Sequence, residues 1–375
     1  MKRSRRPSSP RAPASVAAAK HPPPSTSRIF IVLVYLILSC LFVTFAISIN
    51  IAVPADHMTN VVNLKWRNGK TANANTNSKA SMGVIAYGTR GMKRQTAGLV
   101  EKALTTGFRH IVTANYHQDH NETGVGFGWK NAVQNSQTGL RRSDIYLQTM
   151  FVPVGSPNYN GENVQLSMAE QVTRSIDASL RNLQTEYIDG VLFHNFRAKL
   201  IPVHQMMEAY RALEVYVDRG IIRDLGISNV HDAVYLETLV TQSKHKPRII
   251  QNRFHTNRGF DVKLRPKFRE WNLQPQTFWT LTGNGGARKN IHIVALAAEL
   301  GLTPATLLYA FVISLGSTPL IGTHSAEHMR DDVTLAMQSE SVFRDVEGED
   351  SDRKLVAKVL GIKYACVRDP QSCAE

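Results

Sequence analysis

The segment Gly107–Glu122, GFRHIVTANYHQDHNE, joins a short apolar run to a loop that is rich in titratable side chains. The run His110–Ala114 predicts a buried strand, and Asn121–Glu122 predicts the start of a helix. Imidazole and carboxylate groups in the loop between them are suited to proton transfer. In barrels of alternating strands and helices, catalytic side chains lie where the strands end. We therefore expect an active site at this strand end.

The same loop raises the question of a metal site, because it contains His117, Asp119 and His120, and His194 is a further candidate ligand. Neutral imidazoles and a carboxylate are common zinc ligands. The loop offers neither a pair of histidines four residues apart on a helix nor a cysteine partner. We therefore predict no metal site and interpret these loop histidines as solvated.

Strand-like apolar runs alternate with amphipathic helical runs from Met82 onward, which is the pattern of a parallel sheet. The predicted strands are Val84–Tyr87, His110–Ala114, Ile145–Thr149, Ile188–His194, Ile222–Ile227, Arg248–Asn252, Gln276–Leu281 and Pro319–Gly322. The predicted helices are Gln95–Thr106, Met168–Leu183, Val203–Arg219, Val230–Thr241, His292–Leu300 and Ala326–Met337. Eight strands in this alternation predict an α/β fold, a (β/α)8 TIM barrel.

The segment Gly107–Glu122 resembles the aldo-keto reductase motif Gly-(Phe/Tyr)-Arg-x-Ile-Asp-Thr-Ala. In the family this motif is followed by Tyr-Asn-Glu at the start of the next helix. The resemblance continues along most of the chain from Met82 to about Val333. The matching segments are Ala86–Thr89 (AYGT), Ser143–Phe151, Ser179–Asn195, Ala212–Val230, Ile249–Phe254 (IIQNRF), Gln276–Thr282 and Thr318–Asp332. It implies a barrel that reduces carbonyl compounds with NADPH.

The family's four catalytic residues are an Asp, a Tyr, a Lys and a His, and the resemblance retains only the His, as His194. Val112 occupies the Asp position and Met150 the Lys position. His120 precedes Asn-Glu at the Tyr position, and Tyr116 takes that position if the loop is aligned with a different gap. In the family the Lys ammonium lowers the pKa of the Tyr that donates the proton.

Two interpretations of these substitutions follow. In the first, the barrel has lost reductase chemistry, wholly or largely, and retains a binding or structural role. In the second, His120 is the acid and His194 polarises the carbonyl, because a histidine titrates near neutral pH without a neighbouring ammonium group. We adopt the first interpretation and retain the second as the alternative.

The resemblance also implies a site for NADP(H) or NAD(H). Ser228, Asn229 and Gln251 would hold the nicotinamide carboxamide, and Trp279 would stack on the ring. Thr323 and His328 fall where the family has the residues that bind the 2′-phosphate of NADPH. The family's cationic side chains are not present at these two positions. The predicted cofactor-binding residues are Thr89, Ser228, Asn229, Gln251, Trp279, Thr323 and His328. The loop Gly283–Lys289 is interpreted as a mobile turn.

The amino-terminal residues predict a membrane anchor. Seven of the cationic residues, half of the net charge of +14, lie in residues 1–28, which contain no acid and predict a disordered basic tail. Residues 29–53 form an uncharged apolar run of 25 residues, long enough to be a single transmembrane helix and signal anchor. The cations before it predict a cytoplasmic amino terminus and a lumenal or extracellular barrel.

The remaining boundaries are a flexible stem at 54–81, the barrel at 82–340 and a C-terminal helix and tail at 341–375. Beyond the basic tail, charges of both signs are dispersed, so we do not expect nucleic acid as a partner. The expected partners are a small-molecule carbonyl substrate, if the barrel is active, and the membrane. Three cysteines exclude a disulfide scaffold, although Cys366 and Cys373 either pair or remain free thiols. Asn121-Glu122-Thr123 is a glycosylation sequon at the expected cleft.

Overall fold

The computed structural model describes residues 80–154, 166–194, 201–339, 342–343 and 351–363. The predicted basic tail, the predicted transmembrane segment and nearly all of the stem lie outside these ranges, as do Cys366 and Cys373. Within them, eight parallel strands form a closed barrel in chain order, and the first strand pairs with the eighth. The predicted (β/α)8 barrel is therefore confirmed.

The strands agree with their predicted positions to within about two residues at most ends, since most of them contain buried apolar residues. Their bounds are β1 Ala86–Gly88, β2 His110–Val112, β3 Tyr146–Phe151, β4 Ile188–Phe193, β5 Ile222–Ser228, β6 Ile249–Arg253, β7 Gln274–Phe278 and β8 Thr318–Ile321. The exception is the end of β7, predicted at Leu281. The strand ends at Phe278 because Trp279 has a left-handed backbone conformation, with φ of 64°.

The helices include several that the sequence patterns did not predict. Their bounds are α1 Thr96–Thr106, α2 Glu122–Gln134, α3 Met168–Leu183, α4 Val203–Asp218, α5 Ala233–Gln242, α6 Arg265–Glu270, α7 Gly285–Arg288, α8 Ile291–Glu299, α9 Pro304–Ser314, α10 Ala326–Gln338 and α11 Ser351–Leu360. Helix α9 was missed because most of its residues are apolar and buried, which leaves no amphipathic period. The predicted mobile turn at 283–289 contains α7 and is fixed by Asn284, whose side-chain amide donates to the carbonyls of Phe254 and Thr280.

The barrel interior combines an apolar layer with a polar one. Gln148 of β3 and Gln276 of β7 exchange two amide hydrogen bonds of 2.9 and 2.8 Å across the barrel. Gln251 donates to the same oxygen of Gln276 at 2.8 Å, and His110 bonds to the oxygen of Gln148 at 3.1 Å. This network pairs buried amides that would otherwise be costly to bury. It forms a floor beneath the carboxyl ends of the strands.

The amino-terminal end of β4 carries a buried carboxylate between two arginines. Asp189 is fully buried and forms salt bridges with Nη2 of Arg142 at 2.9 Å and with Nη1 of Arg223 at 2.6 Å. Both guanidinium groups also lie 4.1 Å from the centre of the Tyr187 ring. This cluster lies at the end of the barrel opposite to the predicted site.

Among the described residues, no single helix is long and apolar enough to cross a membrane. The pair α8 and α9, bent by 83°, meets the length and composition criteria when the two helices are taken together.

Candidate active site

The end of β2 and the end of β3 form an apolar wall. Val112 and Met150 are buried there in one cluster with Tyr116, Ala114 and Leu192. Val112 is the last residue of β2, and Met150 is the penultimate residue of β3, so both side chains belong to the mouth of the barrel. Where the resemblance expects a carboxylate and an ammonium group, this wall therefore carries no charge.

Tyr116 lies with this wall and stacks on His194. The two ring centroids are 6.4 Å apart and the ring planes differ by 29°. The phenol donates a hydrogen bond of 2.5 Å to Oε1 of Gln118. The structure thus brings Tyr116, the alternative candidate for the family's Tyr, together with Val112 and Met150. His120 lies on the same loop, and its backbone N–H donates to the carbonyl of Tyr116 at 2.9 Å.

His120 and His194 are held in the neutral form. Burial, together with the nearby His194 and Arg90, lowers the pKa of His120 to about 3, and Asp119 opposes this shift. Burial and Arg90 lower the pKa of His194 to about 4. The Nδ1 atoms of both rings are buried without a hydrogen-bond partner in the described part of the chain. The expectation that His120 titrates near neutral pH is therefore not met, because its ring is taken out of water beside other cationic groups.

An exposed ion pair between Arg90 and Asp119 lies beside these rings. Nε and Nη2 of Arg90 donate to one oxygen of Asp119 at 2.9 and 2.8 Å. Asp119 is thus engaged with a cation, and among the described residues no group of three His, Cys, Asp or Glu side chains has the arrangement of a metal site. Sequence reasoning missed Arg90, although it directly follows Thr89 at the end of β1.

The first turn of α2 is anchored by a buried acid. Glu122 is 5% exposed and accepts hydrogen bonds from Thr149 at 2.6 Å, Ser179 at 2.8 Å and Asn182 at 3.2 Å. Burial raises its pKa, and the three donors oppose that rise. The acid joins α2 to β3 and α3 and thereby fixes the loop that carries Tyr116 and His120.

Asn121, the asparagine of the glycosylation sequon, also helps to fix the start of α2. Oδ1 of Asn121 accepts from the N–H of Gly124 at 2.9 Å and caps α2, while Nδ2 donates to the carbonyl of Lys93 at 3.0 Å. A Cβ atom at Gly124 would lie 2.8 Å from that Nδ2 atom, which shows how closely the amide is packed. The nitrogen that would carry a glycan is thus engaged in the folded barrel.

The predicted nicotinamide residues lie together at the ends of β5 and β6. Ser228 donates to the backbone carbonyl of Gln251 at 3.0 Å, and Nδ2 of Asn229 donates to the hydroxyl of Ser228 at 3.1 Å. Oε1 of Gln251 and Oδ1 of Asn229 accept no hydrogen bond from any described residue. A carboxamide NH2 group requires such acceptors, so these residues fit the nicotinamide end of the cofactor.

Trp279 follows β7 and is 40% exposed, as a stacking platform must be. The guanidinium carbon of Arg253, the last residue of β6, lies 4.2 Å from the centre of the Trp279 ring. Arg253 was not among the predicted site residues. Its position two residues after Gln251 is the pattern that could have identified it, since alternate residues of a strand share a face.

The other predicted cofactor-binding residues, Thr89 and the phosphate-end residues Thr323 and His328, make internal contacts. The Thr89 hydroxyl is buried and donates to the carbonyl of Val112 at 3.1 Å. Thr323 lies before α10, and its hydroxyl is 3.4 Å from Nδ1 of His328. Thr323 also accepts a hydrogen bond from the Tyr87 hydroxyl through its backbone carbonyl. This end of the site lies at the start of α10 and presents hydroxyl and imidazole groups.

The closed barrel, with its polar groups at the carboxyl ends of the strands, defines the class of (β/α)8 barrel proteins. Residues 81–346 match the model of the aldo/keto reductase family, and the chain belongs to that family. It is 28% identical over 225 residues to an aldo-keto reductase of Mycolicibacterium smegmatis, covering 59% of this chain and 72% of that relative. It is 26% identical over 246 residues to the NAD(P)H-dependent D-xylose reductase of Scheffersomyces stipitis, covering 56% and 71%.

A similar fold occurs in the crystal structure of an aldo-keto reductase from a deep-sea metagenome library. That structure aligns with a TM-score of 0.60 at 23% identity and covers 76% of this chain and 93% of its own. At this identity the likeness supports the fold alone.

Proposed function

We propose that this protein is a nicotinamide-nucleotide-binding aldo-keto-reductase barrel whose carbonyl reductase activity is lost or much weakened. The apolar wall of Val112 and Met150 carries this proposal, because by the sequence resemblance these residues stand where the family has its Asp and Lys, and both are buried in an apolar cluster. With Met150 where the family has its Lys, that position offers no ammonium group to lower the pKa of the Tyr116 phenol. Burial raises that pKa, Asp119 adds to the rise, and Arg90 opposes it.

Retention of nucleotide binding is supported by the acceptors Gln251 and Asn229 and by the exposed ring of Trp279. When bound, a reduced nicotinamide would supply a hydride. These residues would hold the carboxamide and orient the ring over the barrel mouth. The relative from Scheffersomyces stipitis is NAD(P)H-dependent, and for this chain we propose NADP(H) or NAD(H) without a choice between them.

The alternative is an active carbonyl reductase that uses His120 and His194. Both imidazoles lie at the mouth of the barrel, with buried Nδ1 atoms that have no partner among the described residues. A neutral imidazole N–H can polarise a carbonyl oxygen by a hydrogen bond. In this alternative the protein reduces a small-molecule aldehyde or ketone, and solvent supplies the proton.

A membrane anchor is also part of the proposal. The uncharged run at residues 29–53 and the cations before it support a single-pass protein with a cytoplasmic amino terminus and a lumenal or extracellular barrel. Tagging either end of the full-length chain and treating intact cells or sealed microsomes with protease tests this orientation. Protection of the carboxyl terminus in microsomes supports it, and digestion there contradicts it.

The binding proposal is tested by calorimetric titration of the full-length chain, in detergent, with NADPH and NADH. We expect saturable binding that Trp279→Ala weakens by about ten-fold, the loss of a stacking contact of roughly 1.4 kcal/mol. Ile291→Ala, which removes an exposed side chain from α8, is the control. If neither nucleotide binds at millimolar concentration, the proposal fails.

The same preparation tests the loss of activity with reactive aldehydes and NADPH. We expect no turnover above that of a sample without protein. Turnover that is abolished by His194→Asn or His120→Gln, with nucleotide binding retained, would establish the alternative instead.

A further inference from the structure

The side chain of Arg253 leaves β6 on the face that looks into the barrel. Gln251 lies on that face, since its amide bonds to Gln276 and through it to Gln148 on the far side of the barrel. Alternate residues of a strand share a face, so Arg253 points in the same direction, one step nearer to the mouth. In register with it on β7 is Phe278, whose ring centre lies 5.8 Å from the guanidinium carbon.

The backbone around Trp279 fixes this residue where its ring contacts the guanidinium group of Arg253. Its backbone is left-handed, with φ of 64°, a conformation that costs a bulky residue free energy and persists only where the surroundings impose it. The N–H of Gly283 donates to the carbonyl of Trp279 at 2.8 Å, and a Cβ atom at Gly283 would lie 2.8 Å from the same oxygen. The turn after β7 therefore holds the indole ring at the edge of the site.

From this geometry we infer that Arg253 selects the redox form of the nicotinamide ring and favours the reduced form over the oxidised one. The inference rests on the proposed nucleotide binding. The oxidised ring carries a positive charge and the reduced ring is neutral. Either would share the indole of Trp279 with a guanidinium group that is already 4.2 Å from its centre.

Two effects disfavour the oxidised ring. Two cations on one indole compete for the same π electrons, so the second gains less from the contact than it would alone. They also repel each other at a separation of a few ångströms, where the mouth of the barrel screens charge less than bulk water does. The wall of Val112 and Met150 adds no carboxylate to offset this repulsion. The neutral reduced ring is subject to neither effect.

Direct binding measurements test the inference without requiring catalysis. The full-length chain, Arg253→Gln, Arg253→Lys and Arg258→Gln are titrated with NADPH and with NADP⁺ by calorimetry. Arg258 is an exposed cation in the loop after β6, so Arg258→Gln removes the same charge close by without touching Trp279. Thermal unfolding of each variant confirms that its barrel remains folded.

We expect the wild-type chain to bind NADPH about ten-fold more tightly than NADP⁺, the size of a partly screened repulsion between two charges. Arg253→Gln should narrow this ratio to about two-fold by tightening NADP⁺ binding, and Arg253→Lys and Arg258→Gln should preserve it. If the ratio of NADPH to NADP⁺ affinity is unchanged in Arg253→Gln, even with both nucleotides bound equally more weakly, the inferred role of Arg253 is overturned. The proposed nucleotide binding would still stand in that case. Failure of all four proteins to bind either nucleotide overturns the proposed function as well.

Discussion

Tyr116 and His194 stack at the mouth of the barrel, with ring centroids 6.4 Å apart, directly beside the apolar wall of Val112 and Met150. The site thus retains an aromatic hydroxyl and an imidazole in contact, and the wall of Val112 and Met150 beside them is uncharged. The ion pair that remains close, Arg90 with Asp119, is exposed to solvent. The arrangement supports the proposed loss or weakening of reductase chemistry. The phenol has a raised pKa, and both histidines are neutral.

The apolar wall predicts the result of reintroducing the charges. Val112→Asp and Met150→Lys should each lower the free energy of unfolding by about 3–5 kcal/mol, because each places an unpaired charge in an apolar cluster. The double variant should lose clearly less than the sum, since the carboxylate and the ammonium group can then pair. Urea unfolding of the four proteins of this cycle measures the coupling. Additive losses would show that the two side chains do not meet.

The two variants also bear on activity. If Tyr116 stands at the family's Tyr position, an ammonium group at position 150 should lower its pKa, and the double variant should reduce a reactive aldehyde with NADPH faster than the wild type. Adding Tyr116→Phe to the double variant is the control, and it should remove the gain. A gain that survives this change would exclude Tyr116 as the acid.

The neutral histidines predict a dependence of stability on pH. In the unfolded chain His120 has a pKa of about 6.5, and in the folded barrel its pKa is lowered to about 3. Between these values the unfolded state binds more protons, so the contribution of His120 to stability is complete above pH 6.5 and is lost as the pH falls. The loss should be about 1.4 kcal/mol for each pH unit.

Urea unfolding at several pH values between 4 and 7 measures this effect as the difference between the wild type and His120→Gln. The free energy of unfolding should change less with pH in His120→Gln than in the wild type. His292→Gln, an exposed histidine of α8, is the matched control. Equal slopes in the wild type and His120→Gln would mean that His120 is accessible to protons in the folded barrel.

Most strands could be predicted because they contain buried apolar residues whose pattern is local in the sequence. The end of β7 could not, since no sequence feature of Trp279 indicates a left-handed backbone. Arg90 and Arg253 were missed for a different reason. The partner of Arg90 is 29 residues away, and the contact of Arg253 with Trp279 joins the end of β6 to the residue that follows β7. The choice between His120 and Tyr116 also depended on the path of the loop, which the number of residues alone does not fix.

The buried carboxylate at the opposite end of the barrel should matter for stability and not for binding. Asp189→Asn should lower the free energy of unfolding by about 3–5 kcal/mol, because it leaves two guanidinium groups without their counter-charge. Arg142→Ala should cost more than Arg223→Ala, since Arg142 also donates to Thr185 and to the carbonyl of Tyr187. Urea unfolding ranks the three variants. A change in NADPH affinity in a folded Asp189→Asn protein would contradict the assignment of a purely structural role.

Glu122 offers the sharpest test of how the site loop is held. Glu122→Gln keeps an oxygen for Thr149 and Ser179, but it can set an amide NH2 group against the NH2 group of Asn182. We expect a loss of about 1–3 kcal/mol in the free energy of unfolding, the cost of a buried polar group without its partner. Asn182→Asp supplies an acceptor, so the double variant should recover about half of the loss. Full recovery is not expected, because the new carboxylate lies in the last turn of α3, where the helix dipole opposes it. A double variant no more stable than Glu122→Gln would show that the contact with Asn182 does not anchor the loop.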